Sequence, residues 1–114
     1  MTYNEIKSLL QSINDPVLKL ETLMDLRREL KPIPAGAKGD EIKGCASRVE
    51  IFRAPDNTIH CNTDSALVGG IAAVLIAIKN ANADFADFQT LGLNLGAARV
   101  TGSSAMIDYL TNMC

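Results

Sequence analysis

The sequence predicts an α+β fold: a small antiparallel three-stranded sheet covered by helices. Three observations predict it. Apolar residues recur at helical spacing over the first thirty positions. They then alternate with polar residues around a turn signal at Ala54-Pro55-Asp56-Asn57. A long run that is apolar nearly all round follows from Ser65 to Ile78. Strands grouped in the middle of the chain between runs of helix give a layered α+β arrangement rather than alternating βα units.

Thr2-Tyr3-Asn4-Glu5 is a capping box, with a hydroxyl at the cap and a carboxylate three residues on. Ile6, Leu9, Leu10 and Ile13 continue it as the first helix. Asn14-Asp15-Pro16 ends that helix and starts another. Asp15 accepts from the orphan amides of the new helix, and Pro16 suits its first position. Val17, Leu20, Leu23, Met24, Leu26 and Leu30 give the second helix a broad apolar face, and Pro32 and Pro34 stop it. Residues 32 to 40 form a connecting loop rich in Pro, Gly and Lys.

Val49, Ile51 and Ile59 alternate with polar neighbours, so residues 47–53 and 58–62 form a hairpin around the 54–57 turn. Residues 41–43 add a third, short strand. Cys45 then lies in the bend between strands. Thr63 or Asp64 caps the central helix, which runs to about Asn80. Asn80-Ala81-Asn82-Ala83 breaks it, and Asp84 starts a short helix carrying Phe85 and Phe88. Gly92 and Gly96 bracket a loop before a final helix over about 97–112, with Val100, Met106, Ile107 and Leu110 inward.

The 114 residues suit one domain with a core that needs no staples. A formal net charge of −2 argues against an extended nucleic-acid surface. The absence of Trp and an aromatic content of only 4% argue against a base-stacking platform as well. The Ser65–Ile78 run is too short to span a bilayer, and the N-terminus has no basic and apolar leader pattern. Three cysteines, an odd number without paired spacing, predict reduced thiols in the cytoplasm.

Cys45 is the residue with the most chemistry. It sits in Gly44-Cys45-Ala46-Ser47-Arg48-Val49, flanked by glycine and by the cations Lys43 and Arg48. Positive charge favours the thiolate, which is the nucleophilic form. Gly44 permits unusual backbone dihedrals, Ala46 leaves the thiol accessible, and the Ser47 hydroxyl is available to the sulfur or to brace the loop. By composition alone, a buried and inert Cys45 is an equally good reading, because cysteine thiols are often buried. His60 and Cys61 are adjacent on a strand and face opposite sides, which disfavours their sharing a metal. Cys61 reads as core, and Cys114 as a terminal residue. The three cysteines have none of the paired spacings of a zinc site.

Three blocks carry a family resemblance. They are Gly44-Cys45-x-Ser47-x-Val49, then Thr63-Asp64-Ser65-Ala66-Leu67-Val68-x-Gly70-Ile71, then Leu95-x-x-x-Arg99-x-x-Gly102-x-x-Ala105-Met106-Ile107. In this order they resemble the SufE/CsdE family of sulfur acceptors, over most of the chain from about Leu18. The resemblance implies the same α+β architecture, with Cys45 receiving persulfide sulfur from a cysteine desulfurase. It implies stimulation of that desulfurase and delivery of the sulfur for iron–sulfur cluster assembly. The implied partners are a SufS/CsdA-like desulfurase, whose own cofactor is pyridoxal phosphate, and a SufBCD-like scaffold complex or another sulfur acceptor. No cofactor of the chain's own, no nucleic acid and no membrane are implied.

Gly44, Ser47, Arg48, Asp64 and Arg99 are carried over as supporting or partner-binding residues. Asp64 matches the acidic residue that opens the family's central helix, where it also serves as a cap. Arg99 matches the arginine ahead of the last helix. Glu50 stands where relatives usually carry an aromatic residue, and Ala97-Ala98 replace a usual proline-serine pair. The alternative is an IscU-like iron–sulfur scaffold, which needs three cysteines and a further ligand at one place.

Overall fold

The computed structural model describes residues 1–43, 47–93 and 97–113, and over 97–102 only the path of the chain. Two helices come first, α1 (Tyr3–Ser12) and α2 (Pro16–Asp25), the second running into a 3₁₀ turn at Leu26–Glu29. Strands β1 (Asp40–Glu41), β2 (Val49–Arg53) and β3 (Ile59–Thr63) follow. Helix α3 (Ala66–Asn80), a 3₁₀ segment at Phe85–Leu91 and helix α4 (Ala97–Thr111) complete the chain. The sheet has the order β1-β2-β3 and is antiparallel throughout. It is the helix-covered three-stranded sheet that the sequence predicts.

The local signals act at the positions the sequence predicts. Thr2 and Glu5 make both bonds of the capping box, and the Thr2 amide, donating to the Glu5 carboxylate, holds that carboxyl below its usual range. Asp15 accepts from the amides of Val17 and Leu18, with Pro16 at the first helical position. Asp84 caps the segment at Phe85 by accepting from the Ala86 amide. Asn57 and Asn82 both take positive φ, 70° and 54°, one in the hairpin turn and the other where α3 gives way to the next segment.

Helix α3 is the centre of the core. Ten of its fifteen residues are buried, from Val68 to Ile78, which is why its sequence has no polar face. The inner face of the sheet, Val49, Ile51, Ile59 and Cys61, joins Ile6, Leu10, Leu23, Leu91, Met106 and Leu110 in one apolar cluster. At Gly70 the α2 and α3 backbones approach too closely for any side chain, next to Leu23.

Three expectations need correction. Val17 is 65% exposed and Leu18 50% exposed, so the second helix is apolar over its first turn without burying it. The contact with α3 forms at Leu23, one and a half turns further on. The first strand is Asp40–Glu41 rather than 41–43, because pairing with Ile51 and Glu50 fixes its register. The cap of α3 is Ser65, not Thr63 or Asp64. Ser65 has the extended angles of a cap (φ −108°, ψ 128°) and accepts from the Val68 amide.

The outer edge of β3 is not open. The Cys61 amide donates to the Lys31 carbonyl (2.9 Å), and the Asn62 side chain accepts from the Ile33 amide (3.0 Å). His60 Nδ1 meets the Pro32 carbonyl at 3.0 Å. The loop after the 3₁₀ turn is thereby sewn along the strand.

Candidate functional site

The connection between β1 and β2 carries the predicted reactive segment. Its two ends are joined by the Ile42 amide donating to the Val49 carbonyl at 2.8 Å. Within it, Gly44, Cys45 and Ala46 lie outside the described residues, and the description resumes at Ser47, which is half-buried. Lys43, on the other side, is exposed.

Strand alternation arranges the residues beyond Ser47. Val49 and Ile51 point into the core, so Glu50 and Phe52 take the outer face. The register sets Glu50 opposite Asn62 and Phe52 opposite His60. Arg48, just ahead of β2, is ion-paired with Glu50 two residues on. The pair has one exposed partner, with 69% of the Arg48 side chain in solvent, so it contributes little to stability. Its effect is on charge: the cation read as a neighbour of Cys45 is matched by the Glu50 carboxylate.

Arg48, Glu50, Asn62, Thr63 and Asp64 line a cleft of about 300 Å³ where β3 ends. The predicted residues Arg48 and Asp64 therefore meet on one surface, beside the end of the Cys45 connection that resumes at Ser47. Asp64 is exposed. Thr63 accepts from the Ser65 amide at 3.3 Å and packs its methyl towards Gly69. Asn62 is oriented by the Ile33 amide. Sequence reasoning missed Asn62 and Thr63 as wall residues. Alternation alone puts Glu50 outward, but pairing it with Asn62 requires the cross-strand register.

Arg99 lies on the first turn of α4, and its side chain is outside the described ones, as is Cys114. Cys61 and His60 point to opposite faces, as their adjacency predicts. Cys61 is 3% exposed beneath α3, whereas the His60 ring lies 5.9 Å from the Phe52 ring on the outer face. Among the described residues no three His, Cys, Asp or Glu side chains converge on a metal site. No helix there is long and apolar enough to cross a membrane.

A second cleft, of about 490 Å³, lies on the other side of β1. Asp40, Phe52 and Arg53 form one wall, and Asp108, Tyr109 and Met113 of the α4 end form the other. The Tyr109 hydroxyl crosses it to donate to Asp40 Oδ2 at 2.7 Å. Burial first, and then this bond, push the Tyr109 phenol up to about 12.

Comparison with known proteins agrees with the geometry. Residues 4–114 match the family model described as SufE: Fe-S metabolism associated domain. A relative from Arabidopsis thaliana, SufE-like protein 1, chloroplastic/mitochondrial, is 30% identical over 121 residues, covering 93% of this chain and 33% of its own length. The chain thus spans about a third of that relative. Among solved structures, the solution structure of a hypothetical protein from Thermus thermophilus superposes with a TM-score of 0.65. That superposition covers 96% of this chain and 93% of the other at 14% identity, a likeness of fold alone.

Proposed function

The chain belongs to the SufE family, whose domain is associated with Fe-S metabolism, and on that premise we propose that it is a sulfur acceptor with Cys45 as the receiving thiol. The observation that carries the reading is the position of Cys45. It is the cysteine of the Gly-Cys-x-Ser-x-Val block, in the connection whose ends Ile42 and Val49 clamp together. A thiol on a strand-to-strand connection suits exchange chemistry that must take place inside another protein.

The reaction is a thiol exchange. The Cys45 thiolate attacks the terminal sulfur of a persulfide held on the desulfurase. The partner's S–S bond breaks, its electron pair leaves with the partner's cysteine as a thiolate, and the transferred sulfur keeps its proton on Cys45. No net oxidation occurs, and no metal or base triad is needed. The rate follows thiolate fraction, nucleophilicity and access. Removing the persulfide frees the desulfurase for another turnover, so the chain acts as its activator. A scaffold complex for iron–sulfur clusters, or another sulfur acceptor, takes the sulfur onward.

Arg48 and Asp64, together on the neighbouring cleft, would meet the desulfurase surface, with Gly44 and Ser47 shaping the connection and Arg99 contributing from α4. A reducing compartment such as the cytoplasm suits both the reactive thiol and the buried Cys61.

The test is incubation with a cysteine desulfurase and L-cysteine, followed by intact-mass and peptide mapping. One added sulfur on Cys45, lost in Cys45→Ser, is the expected result. Sulfur found on Cys61 or Cys114, or on none, overturns the assignment.

A further inference from the structure

We propose that the cleft between the end of α4 and the β1–β2 ribbon binds a small zwitterion, a free amino acid or dipeptide, with its carboxylate on Arg53 and Lys38 and its ammonium on Asp108. The site is separate from the Cys45 connection, and the proposal does not rest on the acceptor reading.

The cleft has the size for such a ligand. Its volume is about 490 Å³, and small-molecule sites run from about 300 to 1,000 Å³. Phe52 and Met113, both half-buried, give the lining an apolar part for the ligand's carbon frame.

Its charges are divided between the two walls. Lys38 and Arg53 stand on the sheet side, and Asp108 on the α4 side. All three are exposed, and among the described residues none of them is in an ion pair. The fourth charge, Asp40, accepts from the Tyr109 hydroxyl at 2.7 Å. The lining thus carries two cations and two carboxylates, yet no salt bridge between described residues closes it. A ligand with one charge of each sign satisfies both walls at once. A lone anion or a lone cation satisfies one wall and meets its own sign on the other.

Each wall suits the charge assigned to it. Burial and then the Asp40 bond raise the Tyr109 phenol, and the Arg53 charge acts on it in the opposite sense, so the guanidinium lies within electrostatic reach of the cleft's centre. A guanidinium presents a planar fork of donors that matches a carboxylate, and Lys38 adds a point charge beside it. Asp108 belongs to the last turn of α4 (Ala97–Thr111), where the negative end of the helix dipole favours a cation. The Asn112 side-chain amide donates to the Asp108 main-chain carbonyl at 2.9 Å, so it does not compete for the Asp108 carboxylate.

Titration of the full chain, followed by amide NMR shifts, tests the site with four probes: L-alanine, L-alanyl-L-alanine, N-acetyl-alanyl-alanine and alanyl-alanine amide. At least one of the two zwitterions is expected to shift residues 38–40, 51–53 and 108–113 with millimolar affinity, and the tighter of the two identifies the source. Each blocked dipeptide lacks one charge and is expected to bind about tenfold more weakly than its parent. Arg53→Gln and Asp108→Asn are each expected to weaken binding of the tighter zwitterion about tenfold, with urea midpoints unchanged, as for exposed residues outside any ion pair. Absence of shifts with both zwitterions overturns the proposal, as do shifts confined to another surface. A blocked form that binds as tightly as its parent overturns it too, because the site then reads a single charge. So do variants that bind like the wild type.

Discussion

Gly70 of α3 lies directly against the backbone carbonyl of Leu23 in α2. A β-carbon at position 70 would overlap that carbonyl group, and the nearest atoms are backbone rather than a side-chain end that could turn away. The two helices are therefore spaced by the absence of a side chain.

Gly70→Ala is expected to destabilise the fold by about 3 kcal/mol or more, the upper range for overpacking, even though alanine is the better helix former by about 1 kcal/mol. Gly69→Ala is expected to cost less. Its β-carbon would meet the Arg27 Cβ at 3.0 Å and the Thr63 methyl at 3.3 Å, which small shifts relieve. Urea unfolding of the two variants measures the difference, and equal midpoints would contradict the close approach.

Ser65→Ala is expected to cost about 1 kcal/mol, the usual loss for an N-cap. Asp64→Ala, beside it, is expected to stay within about 0.5 kcal/mol, as an exposed position with no capping bond does. Asp64→Ala is instead expected to weaken desulfurase stimulation at low salt. Paired urea and activity measurements separate cap from contact.

Cys61→Ser puts a hydroxyl beneath α3, opposite Ile51. A loss of about 1 kcal/mol is expected from placing a more strongly hydrated hydroxyl in this apolar surrounding. Sulfur transfer to Cys45 at a temperature where the variant is folded is expected to be unchanged. Denaturation curves and mass mapping on one preparation check both halves.

The chain has two tyrosines, and both phenols are raised to about 12. For Tyr3 the cause is burial first and then its bond to Asp87, and for Tyr109 burial first and then its bond to Asp40. The sign follows from linkage. Below the ordinary value of 10.0 both states hold the proton, and the contribution to stability is complete. Between pH 10 and about 12 only the unfolded chain ionises, so stability falls across that window. Tyrosinate absorbance of the folded protein is expected to rise near pH 12, and that of the urea-unfolded chain near pH 10. Coincident titrations would contradict it.

Features set by a few neighbouring residues were legible in the sequence. The Thr2–Glu5 box, the Asp15-Pro16 start and the 54–57 turn need only local geometry. The all-round apolarity of α3 announced its central place. Features set by distant partners were not legible. Thr63, Asp64 and Ser65 all offer oxygens to a helix start, and only the backbone angles at Ser65 select it. Val17 looks like core because nothing local reveals that α3 meets α2 further along. At the candidate site, the motif marked Cys45, Arg48 and Asp64. The cleft that unites the last two with Glu50 and Asn62 depends on the β2–β3 register. Gly44, Cys45 and the Arg99 side chain lie outside what the structure describes.

The stitching of residues 31–33 along β3 has a consequence for life at high concentration. An unpaired strand edge is a template for another chain to add to, the first step towards fibrils. Here the Lys31 carbonyl takes the Cys61 amide that an intruding strand would pair with, and the Ile33 amide holds the Asn62 side chain beside it. Pro32 and Pro34 within the same segment have no N–H to extend the ladder further outward. The opposite border of the sheet is only two residues long. The sheet thus resists edge-to-edge polymerisation at both borders.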